Sequence, residues 1–267
     1  MTRMIALPRR RTRLASFIRI FAVVAFGFAA LAMPAKAQTF SEGQRGEIEA
    51  IIKNYLLTHP EILQEVSAEL EKRQAAAESE KANAAIAKNG DAIFNSKHHV
   101  VLGNPKGDVN FVEFFDYNCG YCKRALDDMM ILMKEDKNLR IVLKEFPVLG
   151  PGSVEAAQVA VAVRMQDKDG KLYLAFHQKL MGVRGQADRA RAIAAAKEAG
   201  ADVAKLEADM KSPEVKETLT ESFTIAQSLG MNGTPSYVVG KSVVVGAVGL
   251  EGLRQKISEA RCGKTSC

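Results

Sequence analysis

The stretch VNFVEFFDYNCGYC, residues 109–122, decides the fold that we expect for this chain. An apolar run of strand length leads directly into two cysteines, and a helix-forming segment follows over residues 123–135. At such a junction, the free backbone N–H groups and the dipole of the helix stabilise a thiolate on the first cysteine, Cys119. Cys122 lies almost one helical turn further on, where its sulfur can attack a mixed disulfide at Cys119. The stretch therefore predicts a redox-active dithiol, with Cys119 as the nucleophile and Cys122 as the resolving thiol.

The first 37 residues have the composition of a secretory signal peptide. Five arginines between residues 9 and 19 precede the apolar run 20–31, and Ala35-Lys36-Ala37 forms a small-x-small cleavage signature. The apolar run is short for a transmembrane span, and an uncleaved anchor is the alternative. We expect a signal peptide over residues 1–37 and a mature chain that begins near Gln38.

The excess of basic residues in the whole chain comes from this leader. The chain has 37 Lys and Arg against 31 Asp and Glu, and seven basic but no acidic residues precede Gln38. The mature chain therefore carries 30 basic and 31 acidic side chains, for a net charge close to −1. A nearly neutral chain gives no support for binding to nucleic acid or to an anionic membrane surface. We expect no nucleic-acid partner.

Residues 38–97 contain no cysteine and predict helices. Ser41-Glu42-Gly43-Gln44 is a capping-box pattern ahead of apolar residues at helical spacing, and a second helix start follows at Thr58. Residues 71–88 are mostly Ala, Glu and Lys, which predicts an exposed helical spacer. Two amphipathic helices and a polar spacer cannot make a core alone, so we expect a homo-oligomerisation segment with a stalk. The alternative is that these helices fold back onto the rest of the chain.

Residues 98–267 alternate between strand and helix patterns. The order is strand, strand, motif helix, strand, a long helical stretch, a hairpin and a last helix. This order predicts an α/β thioredoxin fold with a helical subdomain inserted at about residues 150–230. Glycines near residues 150 and 230 mark the two ends of the insertion.

Three motifs then occur in order along this part of the chain. FFDYN, residues 114–118, precedes the cysteines; KEFP, residues 144–147, lies on the next strand; and GTPSY, residues 233–237, opens the hairpin. Together they resemble the DsbA-like thioredoxin family of exported bacterial oxidoreductases, over about residues 98–262. The resemblance implies a periplasmic protein in which Pro235 is a cis-proline facing the cysteines, so that the backbone of Thr234 is free to pair with a substrate strand.

The choice of activity within the family depends on a few residues. Gly120 and Tyr121, between the cysteines, and Thr234, before the proline, are expected to bind substrate and to tune how oxidising the dithiol is. This combination is similar to the periplasmic disulfide isomerases and departs from the Pro-His and Val-Pro pattern of the strong dithiol oxidases. With the N-terminal association segment, the layout resembles the suppressor-of-copper-sensitivity (ScsC-like) proteins.

The resemblance implies partners as well as an activity. The leading hypothesis is a protein disulfide isomerase or reductase that acts on cysteine-containing exported proteins and is kept reduced by a DsbD-like membrane donor. The alternative is a DsbA-like dithiol oxidase that is kept oxidised by a DsbB-like membrane partner. A non-enzymatic alternative is a chaperone or metal-binding module in which the CxxC motif is incidental.

Two further residues are candidates for catalysis. Glu113 lies six residues before Cys119 on the buried strand, where this family often places an acid that accepts the proton of the resolving thiol. Lys144, on the neighbouring strand, is the expected charge partner of Glu113. The alternative is that Glu113 is a strand-end residue that reaches solvent.

Two cysteines lie outside the motif. Cys262 and Cys267 are separated by four residues, and in an oxidising compartment such a pair most often forms a local structural disulfide. A second redox relay is the alternative. Four cysteines could instead hold zinc, but their spacing is poor for a zinc finger and leaves the buried strand unexplained. We expect neither a metal nor a cofactor.

Overall fold

The computed structural model describes residues 40–267, and the signal peptide expected over residues 1–37 lies outside them. The chain divides into two compact units, the first ending at Ser67 and the second running from Ala68 to Cys267. Two helices, α1 (Glu42–Thr58) and α2 (Glu61–Phe94), cover most of residues 40–97. The Ser41 side chain accepts a hydrogen bond from the Gln44 N–H, and the Gln44 side chain accepts one from the Ser41 N–H. This is the capping box that the sequence predicts.

A five-stranded mixed sheet forms the centre of the second unit. Its strands are β1 (Val100–Gly103), β2 (Val109–Phe115), β3 (Leu139–Glu145), β4 (Ser236–Val239) and β5 (Ser242–Val245), in the spatial order β1-β3-β2-β4-β5. Only β2 and β3 are parallel within this sheet, and the other neighbours are antiparallel. A parallel pair needs a crossover, which helix α3 (Gly120–Glu135) provides. The two cysteines therefore lie at the junction between β2 and this crossover helix.

Five helices are inserted between β3 and β4. They are α4 (Pro151–Gln166), α5 (Lys171–Met181), α6 (Arg189–Ala199), α7 (Val203–Asp209) and α8 (Pro213–Ser228), and the chain closes with α9 (Gly249–Cys262). Local signals explain several starts: the side chains of Asp188, Asp202 and Ser212 cap α6, α7 and α8. The thioredoxin fold with an inserted helical subdomain is confirmed, and the inserted helices run from Pro151 to Ser228.

The two faces of the sheet carry two separate apolar clusters. Phe111 and Phe115 of β2 face the side covered by α3, α9 and much of the insertion. Val112 and Phe114 face the other side, where Ile86 and Ile93 of α2 pack with residues of α8. This alternation follows from the two-residue period of a strand.

The end of α2 therefore belongs to the core of the second unit. Ile93 is fully buried, and Ile86 is nearly so. From the sequence we expected the N-terminal segment to end at residue 97, with an exposed spacer up to residue 88. The structure instead divides the chain after Ser67 and buries the apolar side chains of the last turns of α2. The physical reason is that the end of α2 shares with α8 the covering of this apolar face of the sheet.

The C-terminal cysteines, Cys262 and Cys267, are joined by a disulfide at the end of α9. Within residues 40–267, none of the helices combines the length and the apolar composition that a bilayer crossing requires.

Candidate active site

The two motif cysteines lie at the N-terminus of α3 and differ in their surroundings. Cys119 is the N-cap residue, and its sulfur accepts a hydrogen bond from the Cys122 N–H, with an N···S distance of 3.3 Å. Both thiols are free, and Cys122 is completely buried whereas Cys119 keeps 5% of its surface exposed. The helix N-terminus thus directs its free N–H groups at the more accessible sulfur. Only that sulfur is placed for attack by or on another molecule.

The thiol pKa values follow this difference. Hydrogen bonding with the Cys122 thiol, assisted by Thr234 and by nearby backbone N–H groups, lowers the pKa of Cys119 to about 6, against an opposing effect of burial. The same interaction with Cys119, together with burial, raises the pKa of Cys122 far above its usual range. At neutral pH the pair therefore holds one thiolate at Cys119 and one proton at Cys122.

The turn before β4 faces the accessible sulfur. The peptide bond between Thr234 and Pro235 is cis. The Cys119 thiol donates to the carbonyl oxygen of Thr234, with an S···O distance of 3.2 Å. Gly246, after β5, holds this turn by donating its N–H to the Pro235 carbonyl at 2.9 Å. Thr234 and Pro235 thus lie beside Cys119, as the family resemblance implies.

The dipeptide between the cysteines is open to solvent. Tyr121 is 59% exposed, and the guanidinium carbon of Arg124 lies 4.4 Å from the centre of its ring. A Cβ atom at Gly120 would meet nothing within 4 Å apart from its chain neighbours and its own helix, so there is open space at this position. Both positions could contact a bound polypeptide.

Glu113 is buried below the cysteines. Burial first, and then the negative charges of Cys119 and Asp128, raise the pKa of Glu113 to about 8. Its charge in turn contributes to the raised pKa of Cys122. A carboxyl group with a pKa near 8 can take up or release a proton near neutral pH. The alternative of a solvent-reaching glutamate does not fit this burial.

The expected pairing of Glu113 with Lys144 is wrong. In the parallel register Glu113 lies beside Leu143, and Lys144 lies beside Phe114, whose side chain points to the opposite face of the sheet. Lys144 donates instead to the carbonyl oxygen of Ala92 at 2.8 Å and to the Glu221 carboxylate at 3.1 Å. Its side chain is fully buried. Lys144 therefore fastens the end of α2 to the sheet and takes no part in the thiol site.

Two polar side chains in front of Cys119 fix the active-site loop, and we had not predicted them from the sequence. The Asp116 carboxylate accepts hydrogen bonds from the N–H groups of Asn118, Val148 and Leu149, at 2.7, 2.8 and 2.9 Å. Asn118 makes two hydrogen bonds with the backbone of Ala187 in the insertion. The one available signal was that polar residues interrupt an otherwise apolar run.

A buried polar cluster holds Tyr117, the residue between Asp116 and Asn118. The Tyr117 hydroxyl lies 3.4 Å from Glu145 Oε1 and 3.2 Å from His177 Nδ1, and Tyr173 also donates to Glu145 Oε1. Burial raises the pKa of Glu145 to about 8 and lowers that of His177 to about 3. His177 is therefore neutral at physiological pH. The cluster connects helix α5 of the insertion to the loop that carries Cys119.

Metal binding has no evident site in the described part of the chain. Across residues 40–267, no three His, Cys, Asp or Glu side chains are grouped so that they could hold a metal ion.

Comparisons with known proteins agree with this geometry. Residues 111–258, more than half of the chain, match the model of the DSBA-like thioredoxin domain. Residues 44–77 match the model of the copper resistance protein ScsC N-terminal domain. The second match covers α1 and the first half of α2.

Individual proteins show the same similarity. A probable disulfide bond formation protein D of Bacillus cereus is 26% identical over 161 residues, which are 56% of this chain and 74% of that protein. A thioredoxin-like oxidoreductase of Silicibacter pomeroyi is 46% identical and superposes with a TM-score of 0.61. The match covers 64% of this chain and 96% of that protein's chain. A linker-deletion variant of Proteus mirabilis ScsC is 27% identical, covers 84% of this chain and 98% of its own, and has a TM-score of 0.62.

The family match covers β3, β4, β5 and most of β2, both motif cysteines, the cis-proline turn and the inserted helices. The protein is a thiol-disulfide oxidoreductase of the DsbA and ScsC type, and it belongs to the family of DsbA-like thioredoxin domain proteins.

Proposed function

We propose that this protein is an exported disulfide isomerase or reductase that acts on proteins with incorrectly paired cysteines. The observation that carries the proposal is the difference between the two thiols: a partly accessible Cys119 with a pKa of about 6 faces Thr234, while Cys122 below it keeps its proton. This difference suits a nucleophile and a resolving thiol.

The proposed reaction begins when the Cys119 thiolate attacks a client disulfide. A bond forms between Cys119 and one client sulfur, and the other client sulfur leaves as a thiolate. In isomerisation, a different client thiolate then attacks the mixed disulfide, and Cys119 is released as a thiolate without net change in oxidation state. In reduction, Cys122 attacks Cys119, the client leaves with two thiols, and the enzyme keeps the disulfide.

Thr234 and Pro235 would align the client during these steps. At neutral pH the Cys119 sulfur carries no proton, either as a thiolate or in a mixed disulfide, so the Thr234 carbonyl is available to a client N–H group. Extended backbone on one side of the sulfur could then pair with the turn as a short strand. Gly120 leaves room for that strand, and Tyr121 offers an exposed aromatic contact beside it.

The poise of Cys119 favours an isomerase or reductase over a strong oxidase. The more strongly the thiolate is stabilised, the more oxidising the pair becomes, with thiol pKa values of about 3.5 in a strongly oxidising DsbA and about 7 in thioredoxin. The pKa of Cys119 is lowered mainly by hydrogen bonding with Cys122, with Thr234 and with backbone N–H groups. Tyr121 supplies no imidazole donor to the sulfur. A dithiol oxidase remains the second candidate function, because the same cysteine pair can catalyse thiol-disulfide exchange in either direction.

The compartment and the redox partners are part of the same proposal. The leader-like residues 1–37 support export to the periplasm, where a DsbD-like membrane reductant would return Cys119 and Cys122 to thiols. An oxidase would instead depend on a DsbB-like membrane oxidant. Alkylation of cellular thiols with a mass tag distinguishes the two, because an isomerase is held reduced and an oxidase is held oxidised.

The first unit would bring copies of the enzyme together. Its large apolar side chains are exposed, among them Ile51, Tyr55, Leu57, Leu63 and Val66. A soluble chain rarely leaves so many apolar groups close together without a partner. We propose that these residues form a homo-oligomer interface, so that several active sites can hold one client.

The test is reactivation of a scrambled protein with several disulfides. The chain beginning at Gln38 is compared with one beginning at Ala68, which removes the first unit and keeps the buried end of α2. If the enzyme is an isomerase, the full mature chain restores the activity of the scrambled protein. The shortened chain should do so at least about tenfold more slowly, because its copies no longer associate. If both forms oxidise a reduced peptide rapidly but neither reactivates the scrambled protein, the enzyme is an oxidase.

Replacing Glu113 by glutamine should slow release of the client by Cys122. A carboxylate that accepts the Cys122 proton contributes a factor of about 100 or more in comparable reactions. Only the ionised form of Glu113 accepts a proton, so the wild-type release rate should rise with pH through the Glu113 pKa. That midpoint should lie below 8, because the negative charge of Cys119, which helps to raise the pKa of Glu113 to about 8, is absent in the mixed disulfide.

Rapid-quench measurement of mixed-disulfide decay checks this prediction. Asp127→Asn, an exposed change on α3, the helix that carries Cys122, is the control and should leave the pH profile unchanged. Because the folded pKa of Glu113 is raised, this residue makes stability fall as pH increases from about 4.5 to 8; the glutamine variant should lose that contribution and keep the similar one of Glu145. An unaltered decay rate and pH profile in the variant would exclude Glu113 as the proton acceptor.

A further inference from the structure

A groove of about 690 Å³ opens between α4 and α8, outside the thiol site. Its floor is apolar and half-buried, formed by Val154 of α4 with Leu219 and Phe223 of α8. The Phe223 ring packs on Phe146, with ring centres 5.0 Å apart, so the floor continues into the core. The groove is therefore a firm apolar surface and not a gap between mobile side chains.

The charged residues that line this groove are all basic. Two exposed lysines, Lys211 and Lys216, line it, and no aspartate or glutamate does so. The remaining rim consists of neutral polar groups, including Thr220, Thr224 and Gln227. An occupant that combines apolar side chains with a carboxylate would complement both the floor and the rim.

One end of the groove adjoins the loop in front of Cys119. Pro147 lines the groove, and the next two residues, Val148 and Leu149, are exposed while their N–H groups are held by Asp116. On the α4 side, Ser153 precedes the lining residue Val154, and its hydroxyl accepts a hydrogen bond from Asn118 at 2.9 Å. Asp116 and Asn118 of the active-site loop thus hold the residues next to Pro147 and Val154, which line the groove.

We propose that this groove binds a stretch of the client polypeptide that is apolar and acidic, adjacent to the cysteine bonded to Cys119. The proposal rests on the proposed function, since it concerns the client of the same dithiol. A chain with incorrectly paired cysteines exposes segments that its native fold would bury, and such segments supply the apolar side chains. Lys211 and Lys216 then favour those segments that carry aspartate or glutamate.

The test uses the full mature chain with Cys122→Ser, which stops the reaction at the mixed disulfide. Three peptides with one activated disulfide each are compared: one flanked by Leu, Phe and Glu, one by Leu, Phe and Lys, and one by Gly and Ser. The acidic apolar peptide should react about tenfold faster than the Gly-Ser peptide, which corresponds to about 1.4 kcal/mol. The basic apolar peptide should fall between them.

Variants then place the effect in the groove. Leu219→Asp should reduce both apolar peptides to the rate of the Gly-Ser peptide. The double change Lys211→Glu with Lys216→Glu should reverse the preference between the acidic and basic peptides. The matched control is Lys134→Glu with Lys137→Glu, two exposed lysines beside an apolar depression at the C-terminal end of α3, and it should keep the wild-type order. In every variant the Gly-Ser rate should stay unchanged.

Each other result has a distinct meaning. If the Gly-Ser peptide does not react, the proposed function itself fails. If all three peptides react equally fast, or if the control pair reverses the preference as strongly, the groove proposal alone is overturned. If Leu219→Asp changes the sedimentation of the chain and not the peptide preference, the groove is a contact between copies, which also overturns the proposal.

Discussion

Replacing Cys119 by serine is expected to abolish thiol-disulfide exchange, with a loss of at least about 1,000-fold in rate. A hydroxyl at this position is not ionised at neutral pH and cannot form a disulfide. No other free thiol can take over within residues 40–267, because Cys122 is completely buried and keeps its proton. Reduction of a small dye-labelled disulfide measures the loss directly.

The matched variant, Cys122→Ser, should behave differently from Cys119→Ser. Its Cys119 still attacks, but the mixed disulfide is not resolved, so the enzyme should accumulate as a covalent adduct with the client. The pKa of Cys119 should stay low, because hydrogen bonding from residue 122 is the largest cause of its lowered value and the serine hydroxyl can still donate. Non-reducing gels detect the adduct, and thiolate absorbance against pH gives the pKa.

These two variants also test the non-enzymatic alternative. A chaperone or metal-binding module with an incidental CxxC motif would keep its activity when Cys119 is replaced. Full activity of Cys119→Ser, or adducts that form equally with both variants, would contradict the assignment of the two thiols. The serine hydroxyl is close in size to the thiol, so a difference between the variants reports chemistry more than packing.

The dithiol and its fold were predictable because their signals are local. An apolar run that ends four residues before Cys119 predicts a strand, and the helix-forming segment after Cys122 predicts the crossover helix. The position of Cys119 as N-cap follows from that junction alone. By contrast, the cis-proline turn beside it came from a family resemblance, since nothing near Pro235 in the sequence specifies its distance from Cys119.

The pairing of Glu113 with Lys144 failed for a physical reason. Both strands are buried on both faces, so neither shows the alternation that would tell which face a residue occupies or how the strands align. A shift of one residue in register moves a side chain to the other face. The anchoring of Asn118 by Ala187 was invisible for a related reason: the partners are 69 residues apart, and only the folded insertion brings them together.

The end of α2 was equally hard to assign. Ile86 and Ile93 are seven residues apart in a segment of small and polar residues, which is too sparse to indicate a buried face. Their burial depends on one face of the sheet, and the strands of that sheet come from residues further along the chain. The consequence is experimental, because a truncation designed from the sequence at His98 would remove part of the core.

A chain that begins at His98 is therefore expected to be much less stable than one that begins at Ala68. The shorter chain loses two buried isoleucines, at about 1.5–3 kcal/mol each. It also leaves the buried Lys144 without its acceptor at Ala92, at about 1.5–3 kcal/mol for a charged group. The loss of about 5 kcal/mol or more is comparable with the whole stability of many domains.

Urea denaturation of the two truncated chains measures this difference, and point variants of the full chain localise it. Ile93→Ala should lower the free energy of unfolding by about 2–5 kcal/mol, whereas Glu80→Ala, exposed on the same helix, should change it by less than about 0.5 kcal/mol. Equal unfolding midpoints for the chains that begin at Ala68 and His98 would mean that α2 contributes nothing to the catalytic core. Loss of activity in a chain that begins at His98 cannot be attributed to lost oligomerisation, because the same cut removes part of the fold that holds Cys119.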